Sequence, residues 1–200
     1  QDTWLSSVML LVHTTLAERG LDADRIALAA GITPAQLADP NARIELETAR
    51  AFWVAAVAAC SCDPCFGLDV ARQFKPTTLH ALGFAWMASG TLREAGQRLI
   101  RYFRIVNAVD RVSFREEESL AWFAFHADGE YTLPRTYDAR AASLLRMCRA
   151  LLGASFAPAA VRLPHARPQP EAAAKISEFF GVPPEWGANE CALAVPVEVL

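Results

Sequence analysis

Three cysteines within six positions have the spacing of a reactive or metal-binding site. They are Cys60, Cys62 and Cys65 in the stretch CSCDPC. Cysteines so spaced serve as metal ligands or redox-active thiols, and they also occur as small apolar residues at helix ends. A structural zinc site takes four ligands, usually from two separated pairs, and the sequence has no second CxxC pair and no HxxxH pair. We therefore favour a helix end followed by a turn, with a thiol sensor and a metal sensor as the alternatives.

No other group of residues indicates a reaction. Four histidines stand far apart in the sequence, at His13, His80, His126 and His165. There is no glycine-rich phosphate loop and no GxSxG motif. The carboxylates concentrate at 116–118, where a solvated turn explains them. The sequence thus predicts no catalytic residues, no metal site and no cofactor.

Helical spacing of apolar residues predicts that the first part of the chain, about 1–108, is a cluster of helices. The pattern then changes to the period of strands, which predicts a hairpin with an acidic turn. This order predicts an α+β fold, in which a small antiparallel sheet with packed helices occupies about 109–200 of a single domain over 1–200. In that second part we predict strands at 109–118, 119–127, 159–163 and 191–195, and helices at 137–152 and 171–180.

Several helix starts carry capping signals. Thr33 is followed by Pro34 and Gln36, and Thr91 is followed three residues later by a glutamate, as in a capping box. Asp63 before a proline predicts another cap. A longer helix is expected from Leu46 to Ala59, and Trp4 is assigned to the first helix of the chain.

The second hairpin strand is apolar on both faces, which is typical of a central, covered strand. One face carries Leu120, Trp122, Ala124 and His126, and the other carries Ala121, Phe123 and Phe125.

Composition limits the classes of protein. The 200 residues are 53% hydrophobic and 20% charged, which allows a large core and excludes general disorder. A net charge of −3 gives no electrostatic reason for this chain to hold nucleic acid. No apolar run is long enough to span a membrane, and no basic leader precedes the first helix. Five cysteines, an odd number with three of them clustered, do not suggest a secreted disulfide framework, so we expect a cytoplasmic protein with no membrane partner.

Three stretches resemble one family. They are AERGLDADRIALAAGITPAQLADPNARI, SCDPCFGLDVARQFKPTTLHALGFAWMASGTLREAGQRLIRYFRIVN and FAPAAVRLPHARPQPEAAAKISEFFGVPPEWGANECALAVPVEVL. In order and spacing they cover nearly the whole chain. The chain resembles the arabinose-binding-like N-terminal domain of AraC/XylS-type bacterial transcription regulators, in the branch that includes ornithine-utilisation regulators.

The resemblance implies an effector-sensing, dimerising domain and not an enzyme. It also implies that DNA is bound only through a C-terminal helix-turn-helix domain that these residues do not include. Family members usually have a Gly-Asp-Pro-like turn where Cys62-Asp63-Pro64 stands, which makes the cysteines incidental. The alternatives are a small cytoplasmic enzyme of unrecognised class and a thiol or metal sensor that uses the cysteine cluster.

An effector pocket needs apolar walls and a few directed polar groups. Polar residues on apolar faces, such as Asn107 and Arg140, and nearby aromatic residues are the candidates, and they suggest a partly apolar effector with an anionic or polar end. Asn107 has a structural alternative as a cap of the last helix carbonyls, and Arg140 as a partner of Asp138 or Glu130. An internal acid beside Arg140 would favour the structural role. The candidate ligand residues are His80, Trp86, Phe103, Asn107, Trp122, His126, Tyr137 and Arg140.

Overall fold

The computed structural model describes residues 2–108, 110–126 and 133–200. The helices are α1 (Ser6–Glu18), α2 (Ala23–Ala29), α3 (Pro34–Ala38), α4 (Leu46–Ala59), α5 (Phe66–Gln73), α6 (Ala81–Met87), α7 (Leu92–Tyr102), α8 (Pro134–Leu152) and α9 (Pro170–Phe180). The strands are β1 (Thr3–Leu5), β2 (Arg43–Glu45), β3 (Arg111–Glu117), β4 (Leu120–His126), β5 (Ala160–Leu163), β6 (Glu185–Trp186) and β7 (Cys191–Pro196). Short 3₁₀ turns cover Pro76–Leu79, Phe103–Ile105 and Val197–Val199. Among the described residues, no helix is long and apolar enough to cross a membrane.

The larger sheet has the order β3-β4-β7-β5-β6, and the predicted α+β class is confirmed. The predicted hairpin is β3–β4, with Phe114 opposite Phe123. Strand β4 also pairs with β7, so its predicted central position is confirmed. Only β5 and β6 run parallel among the described pairs. Phe123 on the inner face of β4 is fully buried, because α6 and α7 pack against that face.

Helix α4 has the predicted bounds, and the Thr33 capping box is present. The assignment of Trp4 to a helix was wrong. Trp4 lies in β1, because β1 pairs with β2 and the Leu5 amide donates to the Val106 carbonyl oxygen at 3.1 Å. Strands this short have no periodicity of their own, so the sequence does not distinguish them from a helix start.

Two hydrophobic cores meet along α5 and α8. One core joins the inner face of the large sheet to α6, α7, α8 and α9. The other joins α1 to α4 with part of α5. Helix α6 lies very close to the turn before it: a Cβ on Gly83 would lie 1.7 Å from the Pro76 carbonyl oxygen. Only glycine allows this approach of helix and turn.

Candidate ligand-binding site

An apolar cavity of about 90 Å³ lies where the two cores meet. Helices α1, α4, α5, α7 and α8 and strand β4 contribute its walls, and β1 contributes Trp4. Its polar lining residues are Asn107, Thr136, Arg140 and Ser143. The apolar lining residues include Val8, Leu11, Val70, Phe74, Leu79, Leu99, Phe103, Phe125, Ala139 and Leu144.

A wider cleft of about 630 Å³ adjoins this cavity. Among the described residues, four line both spaces: Trp4, Trp53, Thr136 and Arg140. These four residues form a boundary between an apolar interior and a more polar cleft, and we refer to them below as the boundary residues. A ligand that crosses the boundary would have an apolar end inside and a different chemical group beside Arg140.

Arg140 on α8 is held from several sides. Its Nη2 lies 2.5 Å from Asp110 Oδ2, and the Asp110 side chain is 7% exposed. Asp110 also accepts a hydrogen bond of 2.6 Å from Asn107 Nδ2. The guanidinium lies over the rings of Trp4 and Tyr137, at 5.6 and 5.8 Å from their centroids. These contacts fix the orientation of Arg140, so its second nitrogen, Nη1, has a defined position at the boundary.

Trp4 is positioned by backbone pairing. It lies opposite Ile44 in the small sheet and bridges to Asn107 on its other side. Arg43 stabilises this arrangement by donating from Nη1 to the Ile105 carbonyl oxygen and from Nη2 to the Thr3 carbonyl oxygen. The first strand, β2 and the segment after α7 therefore hold Trp4 and Asn107 together.

The structure brings some predicted ligand residues together. Phe103, Asn107 and Arg140 line the cavity, and Tyr137 contacts Arg140. Asn107 Nδ2 donates to Asp110, and the Asn107 amide donates to the Phe103 carbonyl oxygen. The acid beside Arg140 is Asp110, whereas Asp138 bonds to His165. Glu130, the other acid considered, lies outside the described residues.

The expected placement of Trp122 and His126 at the same site was wrong. The other face of β4, with Phe123 and Phe125, is the one that meets the helices. Trp122 lies on the outer face of the sheet under the Arg162 guanidinium, 3.9 Å from the ring centroid, and His126 bonds to Ser113. Because both faces of β4 are apolar, the sequence pattern could not distinguish the inner face.

Trp86 and His80 also lie away from the cavity lining. Trp86 is fully buried in the core and its Nε1 donates to the Met147 carbonyl oxygen at 2.9 Å. His80 directly precedes α6 with a positive φ of 52°, and its Nε2 lies 3.2 Å from Ser7 Oγ. Both side chains are satisfied by internal partners.

Sequence reasoning missed Trp4 and Trp53 as site residues. Trp53 is buried in the middle of α4 and packs edge-on against Phe66. In sequence it is one of many apolar residues of that helix, and nothing marks it as different. A signal becomes visible only in three dimensions, because its Nε1 is buried with no hydrogen-bond partner among the described residues.

The cysteine cluster forms a turn between α4 and α5. Cys60 ends α4, and Cys62 has a φ of 56°, the left-handed conformation that glycine adopts most easily. Asp63 is not the helix cap that was expected: its Oδ1 accepts from the Cys65 amide, one residue before α5 begins. Asp63 also pairs with Arg19, at 2.8 Å. The turn is therefore held by Asp63.

Cys60 and Cys65, two thiols of this turn, have the protonation expected of unreactive cysteines. Burial raises the pKa of Cys60 and Cys65. Burial also raises the pKa of Cys148 and Cys191 to about 12. A reactive cysteine needs a lowered pKa, because the thiolate is the nucleophile and the metal ligand. Within the described ranges, no three His, Cys, Asp or Glu side chains form a group that could hold a metal ion.

We expect the double substitution Cys62→Ser with Cys65→Ser to change the free energy of unfolding by less than about 1 kcal/mol, since Asp63 carries the turn. Urea denaturation measures this. The matched control is Cys148→Ser, which places a hydroxyl in a fully buried position and should lose about 2 kcal/mol. A double variant that loses as much as the control would contradict this prediction.

Comparison with known proteins identifies the class of this domain, which is a regulatory domain of a transcription regulator. Residues 20–200 match the family model described as the arabinose-binding domain of AraC transcription regulator, N-terminal. The chain belongs to this family.

Among solved structures, the fold is similar to that of the transcriptional regulator CdpR from Pseudomonas aeruginosa, with a TM-score of 0.61 and 15% sequence identity. The similarity covers 95% of this chain and 55% of that chain. This chain therefore spans about half the length of CdpR, and at this identity the likeness concerns the fold alone. A comparison with curated proteins gave no significant match.

Proposed function

We propose that this domain senses a small-molecule effector in the apolar cavity and passes the bound state on to a DNA-binding part of the regulator outside these 200 residues. The cavity is the observation that carries the proposal. Native cores are packed to the density of organic crystals, so an apolar space of about 90 Å³ between two cores departs from ordinary packing. A ligand that fills the space would restore dense packing, which favours binding as the role of the cavity.

The position of the cavity suits a sensor. Val8 and Leu11, which line the cavity, pack against both cores, so a ligand in the cavity would contact the N-terminal helices and the sheet-containing part together. Binding that favours one arrangement of these parts would stabilise that arrangement. A shift of this kind is the change that a DNA-binding part could respond to.

The cavity favours binding over catalysis, and a ligand other than a free sugar. Its polar lining groups are few and lie mainly at the boundary. Every hydroxyl of a buried sugar would need a hydrogen-bond partner, and the apolar walls offer none. The name of the family therefore does not identify the effector of this domain.

DNA contact belongs, in this proposal, to other parts of the regulator. With a net charge of −3, the domain has no excess of positive charge with which to hold a phosphate backbone. The domain acts on DNA binding indirectly, through its ligand.

We also propose that the domain associates with a second copy of itself. Helices α6 and α7 pack together and expose apolar side chains: Phe84 and Met87 lie about one turn apart on α6, and Ile100 lies on α7. Exposed apolar groups of this kind mark protein interfaces. Sedimentation velocity should show a dimer, and a monomer at every concentration would contradict this part of the proposal.

Filling the cavity should abolish sensing. Ala139 on α8 lines the cavity, and Ala139→Leu would place three more carbon atoms there. We expect this variant to fold and to lose the thermal stabilisation that compounds from a metabolite library give to the unchanged domain. The measurement is the melting temperature with and without each compound.

The matched control is Ala150→Leu, the same substitution at an exposed position of α8. It should leave the stabilisation by every active compound unchanged. The cavity would not be the effector site if Ala139→Leu kept the full stabilisation, or if no compound stabilised the unchanged domain.

A further inference from the structure

The boundary holds buried hydrogen-bond donors without partners. They are Trp4 Nε1, Trp53 Nε1 and Arg140 Nη1, none of which has a hydrogen-bond partner among the described residues. No buried acceptor oxygen of the described lining residues is left without a partner in the same way. Leaving such a donor buried and unpaired is unfavourable, so these groups are expected to find an acceptor in the functional state. The boundary therefore favours a ligand group that accepts hydrogen bonds.

The charges around the boundary are already balanced. Arg140 pairs with Asp110, and in the cleft Arg50 pairs with Glu47 at 2.7 Å. A ligand carboxylate beside Arg140 would lie close to the buried Asp110 carboxylate and would put two negative charges against one guanidinium. An ammonium group beside Arg140 would put a second positive charge against the guanidinium. Charge balance thus favours a neutral acceptor, such as a ketone or ester carbonyl, over the anionic end that the sequence suggested.

The size of the cavity limits the apolar part of the ligand. A cavity of roughly 150 Å³ holds one benzene molecule. The cavity here, at about 90 Å³, is smaller and has room for a chain of about four carbons. The cleft of about 630 Å³ leaves space for whatever lies beyond the carbonyl.

We propose, building on the effector-sensing role above, that the ligand is a short-chain acyl compound whose uncharged ester or ketone carbonyl accepts hydrogen bonds from Trp4, Trp53 and Arg140. The acyl chain fills the cavity, and the group on the other side of the carbonyl extends into the cleft. This orientation pairs the three unsatisfied donors and keeps the apolar chain out of water. It also makes the carbonyl the point at which β1, α4 and α8 are joined.

The test compares methyl pentanoate, pentanoate and pentylamine, which share a chain and differ in the end group. Isothermal titration calorimetry on the 200-residue domain should show saturable binding of the ester, at least about tenfold tighter than binding of the acid or the amine. In Trp53→Phe, which keeps a ring and removes one donor, ester binding should weaken by about tenfold or more. The melting temperature of ligand-free Trp53→Phe should fall less than that of Trp86→Phe, because the donor that Trp53→Phe removes has no partner among the described residues.

Trp86→Phe is the matched control. It removes a donor that already has a partner, so it should lower the melting temperature and leave the preference for the ester unchanged. The inference is overturned if the acid or the amine binds as tightly as the ester, if Trp53→Phe binds the ester normally, or if no saturable ester binding occurs up to about 10 mM. If the ester test fails but Ala139→Leu still abolishes the stabilisation by library compounds, the ligand class is rejected and the sensing role is kept. If library compounds stabilise Ala139→Leu as much as the unchanged domain, both the ligand class and the sensing role are rejected.

Discussion

Arg140→Met is expected to lower the free energy of unfolding by about 3 kcal/mol, because removing one partner of a buried ion pair leaves the other charge uncompensated. The exposed fractions of the two side chains are 14% for Arg140 and 7% for Asp110. In this variant Asp110 still accepts a hydrogen bond from Asn107. We therefore expect a loss of unfolding free energy at the lower end of the range known for broken buried ion pairs. Urea denaturation of the domain measures the loss.

A double-mutant cycle separates the ion pair from the rest of the Arg140 side chain. In Arg140→Met with Asp110→Asn, neither charge is left buried, so the loss should be smaller than the sum of the two single losses by at least about 1 kcal/mol. Strictly additive losses would show that the pair does not stabilise the fold. Arg140 would then be free to act on the ligand alone.

Gly83→Ala should be the most destabilising single-atom addition near the site, with a loss of about 3 kcal/mol. The added Cβ would lie 1.7 Å from the Pro76 carbonyl oxygen, so the turn 76–79 or helix α6 has to move. Backbone atoms cannot rotate away as a flexible side chain can. The same turn carries Leu79 into the cavity wall, so ligand binding should weaken together with stability.

Gly90→Ala provides the comparison for that variant. The nearest atom to its new Cβ would be Glu94 Oε2, at 3.7 Å, which is ordinary contact. Denaturant midpoints should show little change or a small gain for Gly90→Ala, since alanine reduces the freedom of the unfolded chain. Equal midpoints for the Gly83 and Gly90 variants would mean that α6 does not depend on its close approach to the turn.

The regular elements of the fold were predictable because their signals are local. The span Leu46–Ala59 has helical spacing throughout, and the β3–β4 hairpin changes to the period of two at its first residues. Strand β6 is two residues long, and it forms by pairing with β5, which is distant in sequence. No local pattern could therefore predict it. The same holds for β1 and β2, which pair with each other although they lie about forty residues apart in the sequence.

The site was predictable only in part. Asn107 and Arg140 could be found because a polar residue on an apolar face is unusual, and both lie at the cavity. Their partner Asp110 was not expected, because it lies in the segment 109–118 that was predicted as a strand, and nothing in the strand pattern marks it as a partner of Arg140. Trp4 and Trp53 were missed because their role depends on an unpaired indole N–H, and pairing is a property of the folded chain.

The position of Trp4 in the small sheet has a practical consequence for work with shortened proteins. The family match begins at residue 20, so a domain boundary drawn from it would delete β1 and α1. That deletion would remove Trp4, Val8 and Leu11 from the cavity wall, together with the fully buried Met9 and Val12 of the N-terminal core. Bulky purification tags fused directly before Thr3 would press on the same strand. A protein prepared for ligand screening should therefore keep residues 2–19 and carry its tag at the other end.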